Sequence, residues 1–245
     1  MNTVTHGDCL EIMPTLPDKS IDMVMCDLPY GTTACKWDAI IPLEPLWKEY
    51  KRLIKDSGAI VLTAQDKFSA RLMLSNEAMH RYNLVWKKNR STGFLNANRM
   101  PLRSHEDILV FYKKLSAYNP QMQKGLPNHS RGNVVTAKNS CYGKFNVAYE
   151  SNRTGDMKYP CSILPFDREH PPIHPTQKPV ALFEYLIRTY TNEGETVLDN
   201  CAGSGTTAIA CIRTNRNYIL IEKEQKYIDI INQRIEKERE QMRLI

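Results

Sequence analysis

Near its C-terminal end the chain reads TVLDNCAGSGTTAIAC, from Thr196 to Cys211. A short apolar run ends at Leu198, with Asp199 at its tip. Gly203 and Gly205 then allow a tight turn, and Thr206 to Cys211 continue with helical spacing. Such a turn lets a ligand approach the backbone closely, with free helix N–H groups facing it. The next strand, NYILIE, ends in Glu222. A carboxylate at that tip can accept both hydroxyl hydrogens of a ribose diol. Strand, turn, helix and strand commit this region to an α/β layer with its ligand at the strand tips. Two other readings stay open. One is a plain tight turn. The other is the GxGxxA dinucleotide fingerprint, which Gly203 to Ala208 also fits. That fingerprint needs further strand–helix units, usually downstream, and only one strand and one helix follow Ala208. The missing strands lie upstream.

Upstream, short β-branched runs alternate with longer amphipathic stretches, the pattern of an α/β chain. Strands are expected at Asn2–Thr5, Ile21–Cys26, Ala59–Thr63, Asn83–Trp86, Ile108–Tyr112, Thr196–Leu198 and Tyr218–Ile221. Helices are expected at Leu43–Ile54, Asp66–Asn76, Pro179–Tyr190, Gly205–Arg213 and Gln225–Glu240. In the last, Ile228, Ile231 and Ile235 share one face and charges take the other. The periodicity collapses between Leu115 and Pro172, a stretch rich in Asn, Lys, Gly, Ser, Tyr and Pro. So long an unstructured segment is uncommon in a compact domain unless it works on a ligand, so this one reads as a recognition insert. No run of apolar residues is long enough for a membrane helix, and MNTVTHGDCLEIM lacks the plan of a signal peptide. Seven cysteines are scattered without a CxxC pair, which argues against a disulfide framework or structural zinc site and for a reducing cytoplasm.

A second motif lies in IDMVMCDLPYGT. A buried strand ends in Asp27-Leu28-Pro29-Tyr30, at the kind of tip where open α/β sheets place their chemistry. Pro29 fixes its own backbone and biases Leu28 towards an extended shape that aims its carbonyl outward. The tip offers a carboxylate acceptor, a rigid carbonyl acceptor and an aromatic ring. That trio suits a flat ligand bearing an exocyclic amine. The plainer reading is a proline turn with Tyr30 as packing.

Together the two motifs make the chain resemble the S-adenosylmethionine-dependent DNA amino-methyltransferases, which methylate adenine N6 or cytosine N4. DLPY matches three of the four positions of their catalytic motif (D/N/S)PP(Y/F). Cys201 to Gly205 match their cofactor motif FxGxG, with Cys201 in place of Phe. The catalytic motif comes first, with a variable region between, an order similar to the β class. HPTQKP at His174–Pro179, HGDCL at His6–Leu10 and SHEDILVFYKK at Ser104–Lys114 look like further segments of that family. The resemblance implies a Rossmann-like twisted, mostly parallel sheet with helices on both faces. Residues 1–114 would form the catalytic part of the core, 115–172 a target-recognition insert and 173–245 the cofactor-binding part.

The resemblance also implies the chemistry. Asp27 and the Leu28 carbonyl would hold both N–H groups of the amine, Pro29 would fix the tip and Tyr30 would stack on the base. The base must leave the duplex to reach this pocket. Asp8 would meet the cofactor adenine and Glu222 the ribose. Asp199, Cys201, Gly203, Ser204, Gly205 and Thr206 would surround the rest of S-adenosylmethionine, and Thr176 and Lys178 its carboxylate. No metal is implied. The acidic first residue, Asp27, tilts the expected base towards adenine N6, with cytosine N4 as the alternative.

The formal charge is +6. Between Lys87 and Arg103 stand Lys87, Lys88, Arg90, Arg99 and Arg103 with no acidic residue, and the insert adds Lys138 and Lys144 among others. Clustered cations among Asn and Tyr suit phosphate contacts and base-edge readout, or else a plain solvated polar loop; beside a core that resembles a DNA methyltransferase, double-stranded DNA is the expected partner. Trp37, in the loop after the catalytic tip, is a candidate wedge into the base stack, or else core. Relatives of the β class are often dimers, so a homodimer is the other expected partnership. An RNA or protein-amide methyltransferase would usually carry the cofactor turn first. A non-enzymatic DNA-binding module would leave Asp27 and the cofactor turn unexplained.

Overall fold

The computed structural model describes residues 2–32, 35, 38–126, 156–169 and 177–243. The chain divides into two compact units, Met1–Asn119 with Ser162–Ile245, and Pro120–Cys161. In the first unit, β1 (Thr3–His6) and the short α1 (Cys9–Ile12) lead to β2 (Ile21–Asp27). Helix α2 (Leu43–Leu53) runs directly into β3 (Ile54–Ala64), followed by α3 (Asp66–Ser75), β4 (His80–Thr92) and β5 (Arg103–Phe111). The second unit contains an antiparallel pair, β6 (Gln123–Lys124) and β7 (Met157–Lys158). The chain then returns to the first unit through β8 (Ile163–Pro165), α4 (Val180–Tyr190), β9 (Thr196–Asp199), α5 (Thr206–Arg213), β10 (Asn217–Glu222) and α6 (Gln225–Arg243).

Among the described residues, eight strands form one sheet in the order β1-β10-β9-β2-β3-β5-β4-β8. Only β5 runs against the rest: it is antiparallel to β3 and to β4, while the other neighbouring pairs are parallel. The central parallel strands β2, β3, β9 and β10 are covered on both faces, so their inner residues are apolar in both directions. Along β2, Met23 and Met25 face α4, α5 and α6, packing with Phe183, Ile209 and Ile231. Val24 and Cys26 face the other way, towards Leu46 and Tyr50 of α2 and Phe68 and Leu72 of α3. The spacing of Leu46, Trp47, Tyr50 and Leu53 gives α2 one apolar stripe, and all four are buried.

The mostly parallel, two-faced sheet bears out the expected architecture, and every expected strand and helix has a counterpart. Strand β4 runs thirteen residues, well beyond Asn83–Trp86. Strand β8 was not expected. It lies within the 115–172 stretch but joins the main sheet, with Val85 opposite Ile163 and the Val85 N–H donating to the Ser162 carbonyl at 2.8 Å. The second unit accordingly begins at Pro120 and ends at Cys161 rather than running from Leu115 to Pro172.

The sheet reverses its winding between two central strands. From β2 the chain moves through α2, on one face, to β3. From β9 it moves through α5, on the opposite face, to β10. β2 and β9 are direct neighbours, with Met23 opposite Val197 and Val24 opposite Leu198. Where connections diverge in this way, a crevice opens at the strand C-termini. Asp27 and Asp199 are the last residues of those two strands.

Close packing of β2 on β3 sets a limit at Gly58. A Cβ there would lie 2.6 Å from the Asp22 carbonyl oxygen, a backbone atom that cannot swing aside. Gly58→Ala is expected to lower stability by about 1–3 kcal/mol, as overpacking of a tight core does. Urea denaturation would show this as a lower midpoint at constant slope.

Candidate active site

Asp27 leaves β2 with a half-exposed carboxylate whose two oxygens are already engaged. Oδ1 accepts the Tyr30 hydroxyl at 2.9 Å and the Thr63 hydroxyl from β3. Oδ2 accepts Lys178 Nζ at 2.6 Å. Leu28 is buried beneath this tip. The Tyr30 ring packs on Phe68, with centroids 5.3 Å apart, and its hydroxyl also lies 3.3 Å from Glu106 Oε2. Burial, and after it the charge of Asp27, hold this phenol well above its ordinary range. It therefore serves as a neutral hydrogen-bond donor.

Lys178 is the centre of a buried ionic network. Its ammonium lies 2.6 Å from Asp27 and 3.3 Å from Glu106, and 5.5 Å from the centroid of the Tyr30 ring. Glu106 also pairs with Lys88 at 2.6 Å. Burial works against the Lys178 ammonium, but Asp27 and then Glu106 outweigh it and keep it above the usual lysine range. Glu106 is likewise opposed by burial and is held below the usual carboxylate range by Lys178 and then Lys88. Burial dominates at Lys88, which sits below the usual range despite Glu106.

The glycine turn is built as its sequence requires. Gly203 has φ +53° and Gly205 has φ +82°, both left-handed, and Gly205 precedes the first residue of α5. A Cβ at Gly203 would meet nothing within 4 Å, so the backbone there is open to close approach. The Gly203 N–H donates to Glu222 Oε2 at 2.7 Å and the Glu224 N–H to Oε1 at 2.9 Å, fixing that carboxylate at the end of β10. Burial nevertheless raises Glu222 above its ordinary range. Asp8 caps α1 through Leu10 N at 2.9 Å and pairs with Lys223 at 3.0 Å. Lys223, then the Leu10 N–H, lower its pKa. Asp199 is turned inward: Oδ1 accepts the Cys201 N–H at 3.1 Å and Oδ2 the Thr207 hydroxyl. Burial pushes its carboxyl up to about 7. The Ser204 hydroxyl and carbonyl are held by Arg234 at 3.1 and 2.6 Å, and the Thr206 hydroxyl donates to the Lys178 carbonyl at 3.4 Å. Neighbouring Cys26 and then Cys9, together with burial, hold the Cys201 thiol well above its ordinary range.

One cavity of about 620 Å³ joins these parts. Asp8, Gly203 and Glu222 line it together with Asp27, Leu28, Pro29 and Tyr30, so the two motifs share a single space. Asp199, Cys201, Ser204, Thr206 and Lys178 also line it. Gly205 instead packs near Ile231, where an added Cβ would come within 3.0 Å.

Lys178, expected to face a cofactor carboxylate, lines the cavity with its ammonium paired to Asp27 and Glu106. Lys88 was expected to reach DNA phosphate, but it is buried against Glu106, because β4 turns it inward beside Trp86. Lys87, Arg90 and Arg99 are exposed, and Arg103 is half-buried, 3.4 Å from Asp66. Thr176, Lys138, Lys144 and Trp37 lie outside the described residues. Sequence reasoning missed Glu106, Trp86, Arg168 and Tyr227, which line the same cavity. Glu106 carried a readable signal, an acidic residue two positions before the apolar run Ile108–Phe111 of a strand.

The family model described as DNA methylase, for N6 and N4 methyltransferases, matches residues 21–233. The chain belongs to this DNA methylase family. It is 27% identical to the type II methyltransferase M.HinfI of Haemophilus influenzae, over 96% of this chain and 68% of that one. It is 25% identical to M.HpaI of Haemophilus parainfluenzae, over 95% and 73%. Among solved structures, the M1.HpyAVI–SAM complex shares its fold with TM-score 0.65 at 24% identity, covering 96% of this chain and 100% of that one. PvuII DNA methyltransferase, described as cytosine-N4-specific, has TM-score 0.64 at 16% identity, covering 96% and 93%. The methylase draws its methyl group from S-adenosylmethionine. The open backbone at Gly203 and the fixed carboxylate of Glu222 fit a nucleoside-bearing cofactor of this kind.

The network makes a measurable distinction at Lys178. Lys178→Met leaves Asp27 and Glu106 without their shared cation, so stability should fall by roughly 3–5 kcal/mol, the range for breaking a buried ion pair. Turnover should collapse while calorimetry finds the S-adenosylmethionine Kd nearly unchanged. A large loss of cofactor affinity, with normal turnover at saturating cofactor, would instead return Lys178 to the cofactor carboxylate.

Proposed function

We propose that this DNA methyltransferase modifies the exocyclic N6 amine of adenine in a base turned out of double-stranded DNA. The observation that carries this reading is the single cavity shared by the Asp27–Tyr30 tip and the Gly203 turn. When bound, S-adenosylmethionine supplies an electrophilic methyl group on sulfur. Asp8, Glu222 and the backbone around Gly203 hold it. Asp27 and the Leu28 carbonyl take the two N–H groups of the target amine. An amine conjugated with a ring is a poor nucleophile, and acceptors on both hydrogens turn its lone pair out of that conjugation. Catalysis is then positioning and electrostatics, with no covalent enzyme intermediate. Lys178 and Tyr30 fix the direction in which Asp27 presents its oxygens.

Adenine is favoured by the acidic first residue of the tip. Both candidate amines offer two hydrogens to the same acceptors, so the product decides. Nucleoside mass spectrometry on DNA treated with the purified protein should find N6-methyladenine. N4-methylcytosine in its place would overturn the base and leave the amine mechanism standing.

The role of Asp27 has its own test. Asp27→Ala should lower turnover by about 100- to 1000-fold, the loss typical of one preorganised hydrogen-bonding group. Cofactor binding should persist in the folded variant. Near-normal turnover would remove Asp27 from the chemistry.

A further inference from the structure

The connection from β4 to β5 carries some of the most exposed apolar side chains among the described residues. Leu95 is 100% exposed, Phe94 80% and Met100 54%. The segment is not a loose loop. Gly93, at φ +88°, turns the chain into a single 3-10 turn, Phe94–Asn96, closed by Asn96 N to Gly93 O at 3.0 Å and Ala97 N to Phe94 O at 3.0 Å. Arg99 N and Met100 N both return to Asn96 O, at 2.9 and 3.0 Å. Two large apolar side chains are thus presented to water on a hydrogen-bonded tip.

Its location and charge identify what it meets. At the base of the tip Thr92 pairs with Arg103, and both line the cavity that holds Asp27 and Lys178. Arg90 and Arg99 stand exposed on either side of the apolar pair in the sequence, and no acidic residue occurs between Lys87 and Arg103. The tip therefore combines an apolar point with a cationic surround at the rim of the methyl-transfer cavity. A duplex that has lost a base from its stack offers the complement: an apolar slot between base pairs, flanked by phosphates.

We infer that Phe94 and Leu95 form a wedge that enters the DNA stack beside the target and occupies the space left by the flipped base, with Arg90 and Arg99 on the adjacent phosphates. This rests on the reading that the target base leaves a duplex. It places the opening device on the β4–β5 tip rather than at Trp37. A wedge of this kind stabilises the opened duplex, so its contribution is largest where opening is costly and smallest where the target is already unpaired.

The test uses the whole protein and the variant Phe94→Ser/Leu95→Ser, which alters exposed side chains only. The methylated sequence is first read by sequencing DNA from a methylation-free host expressing the protein. Two oligonucleotide duplexes then carry that sequence, one fully paired and one with an abasic position opposite the target. In the variant, kcat/KM should fall about tenfold or more on the paired duplex and less than about threefold on the unpaired one, since a pre-opened target needs little help. S-adenosylmethionine binding should be unchanged. An equal fall on both duplexes, or no fall on the paired one, would overturn the wedge. A variant that changes only the oligomeric state in gel filtration would also overturn it, and would assign the tip to contacts between copies. Absence of methyl transfer by the unaltered protein would instead defeat the underlying reading, and the wedge with it.

Discussion

Burying the Lys178 ammonium costs solvation, and that cost is met only if Asp27 and Glu106 are both present, ionised and close. Their separations, 2.6 and 3.3 Å, satisfy this. The requirement ties together three segments far apart in sequence: the tip of β2, the middle of β5 and the lead-in to α4. Lys88 supplies the second positive charge, so two cations balance two carboxylates inside the cavity wall. Asp27 is thereby held in one orientation before any substrate arrives. A carboxylate already aimed does not have to reorganise when a neutral amine approaches, which is where preorganised sites derive their effect.

The other constraint is the divergence of the chain at β2 and β9. A ligand that spans the crevice between them reaches the glycine turn at one end and the Asp27 tip at the other. The two ends are held by different means. At the glycine turn the backbone does most of the work, through left-handed glycines and N–H groups directed at Glu222. At the catalytic tip side chains do it, through the ionic network. Glu222 and Asp199 show the difference within one region. Both are acidic residues that end strands and line the cavity, yet Asp199 spends one oxygen on the Cys201 N–H of the glycine turn and the other on the Thr207 hydroxyl at the start of α5, while Glu222 is held by backbone donors alone.

Much of this was legible in the sequence because the signals are local. The periodicity of Leu46, Trp47, Tyr50 and Leu53, the run from Ile21 to Cys26 and the glycines at 203 and 205 act over a few residues, and the elements formed where those patterns lie. The partners of long polar side chains were not legible. Lys178 lies on the cavity wall, and its counter-charges come from strands remote in sequence. Lys88 read as surface because it stands in a basic stretch, whereas the alternation of β4 turns it inward and Lys87 outward. Strand β8 escaped for a different reason. Three residues carry no period, and it forms only because β4 offers an edge for it to pair with.

Strand β8 also fixes one end of the chain's excursion through the second unit. Val85 N holds the Ser162 carbonyl at 2.8 Å. At the other end, Asn119 is moored to the close of α4 by its N–H on the Thr189 carbonyl at 2.8 Å and by its side chain on the Thr191 carbonyl at 3.0 Å. The intervening segment leaves from one mooring and returns to the other. Lengthening a loop between fixed ends costs little, about 0.6 kcal/mol for each doubling. A lineage built on this plan can therefore exchange the whole excursion, in length as well as content, while inheriting the chemical machinery intact.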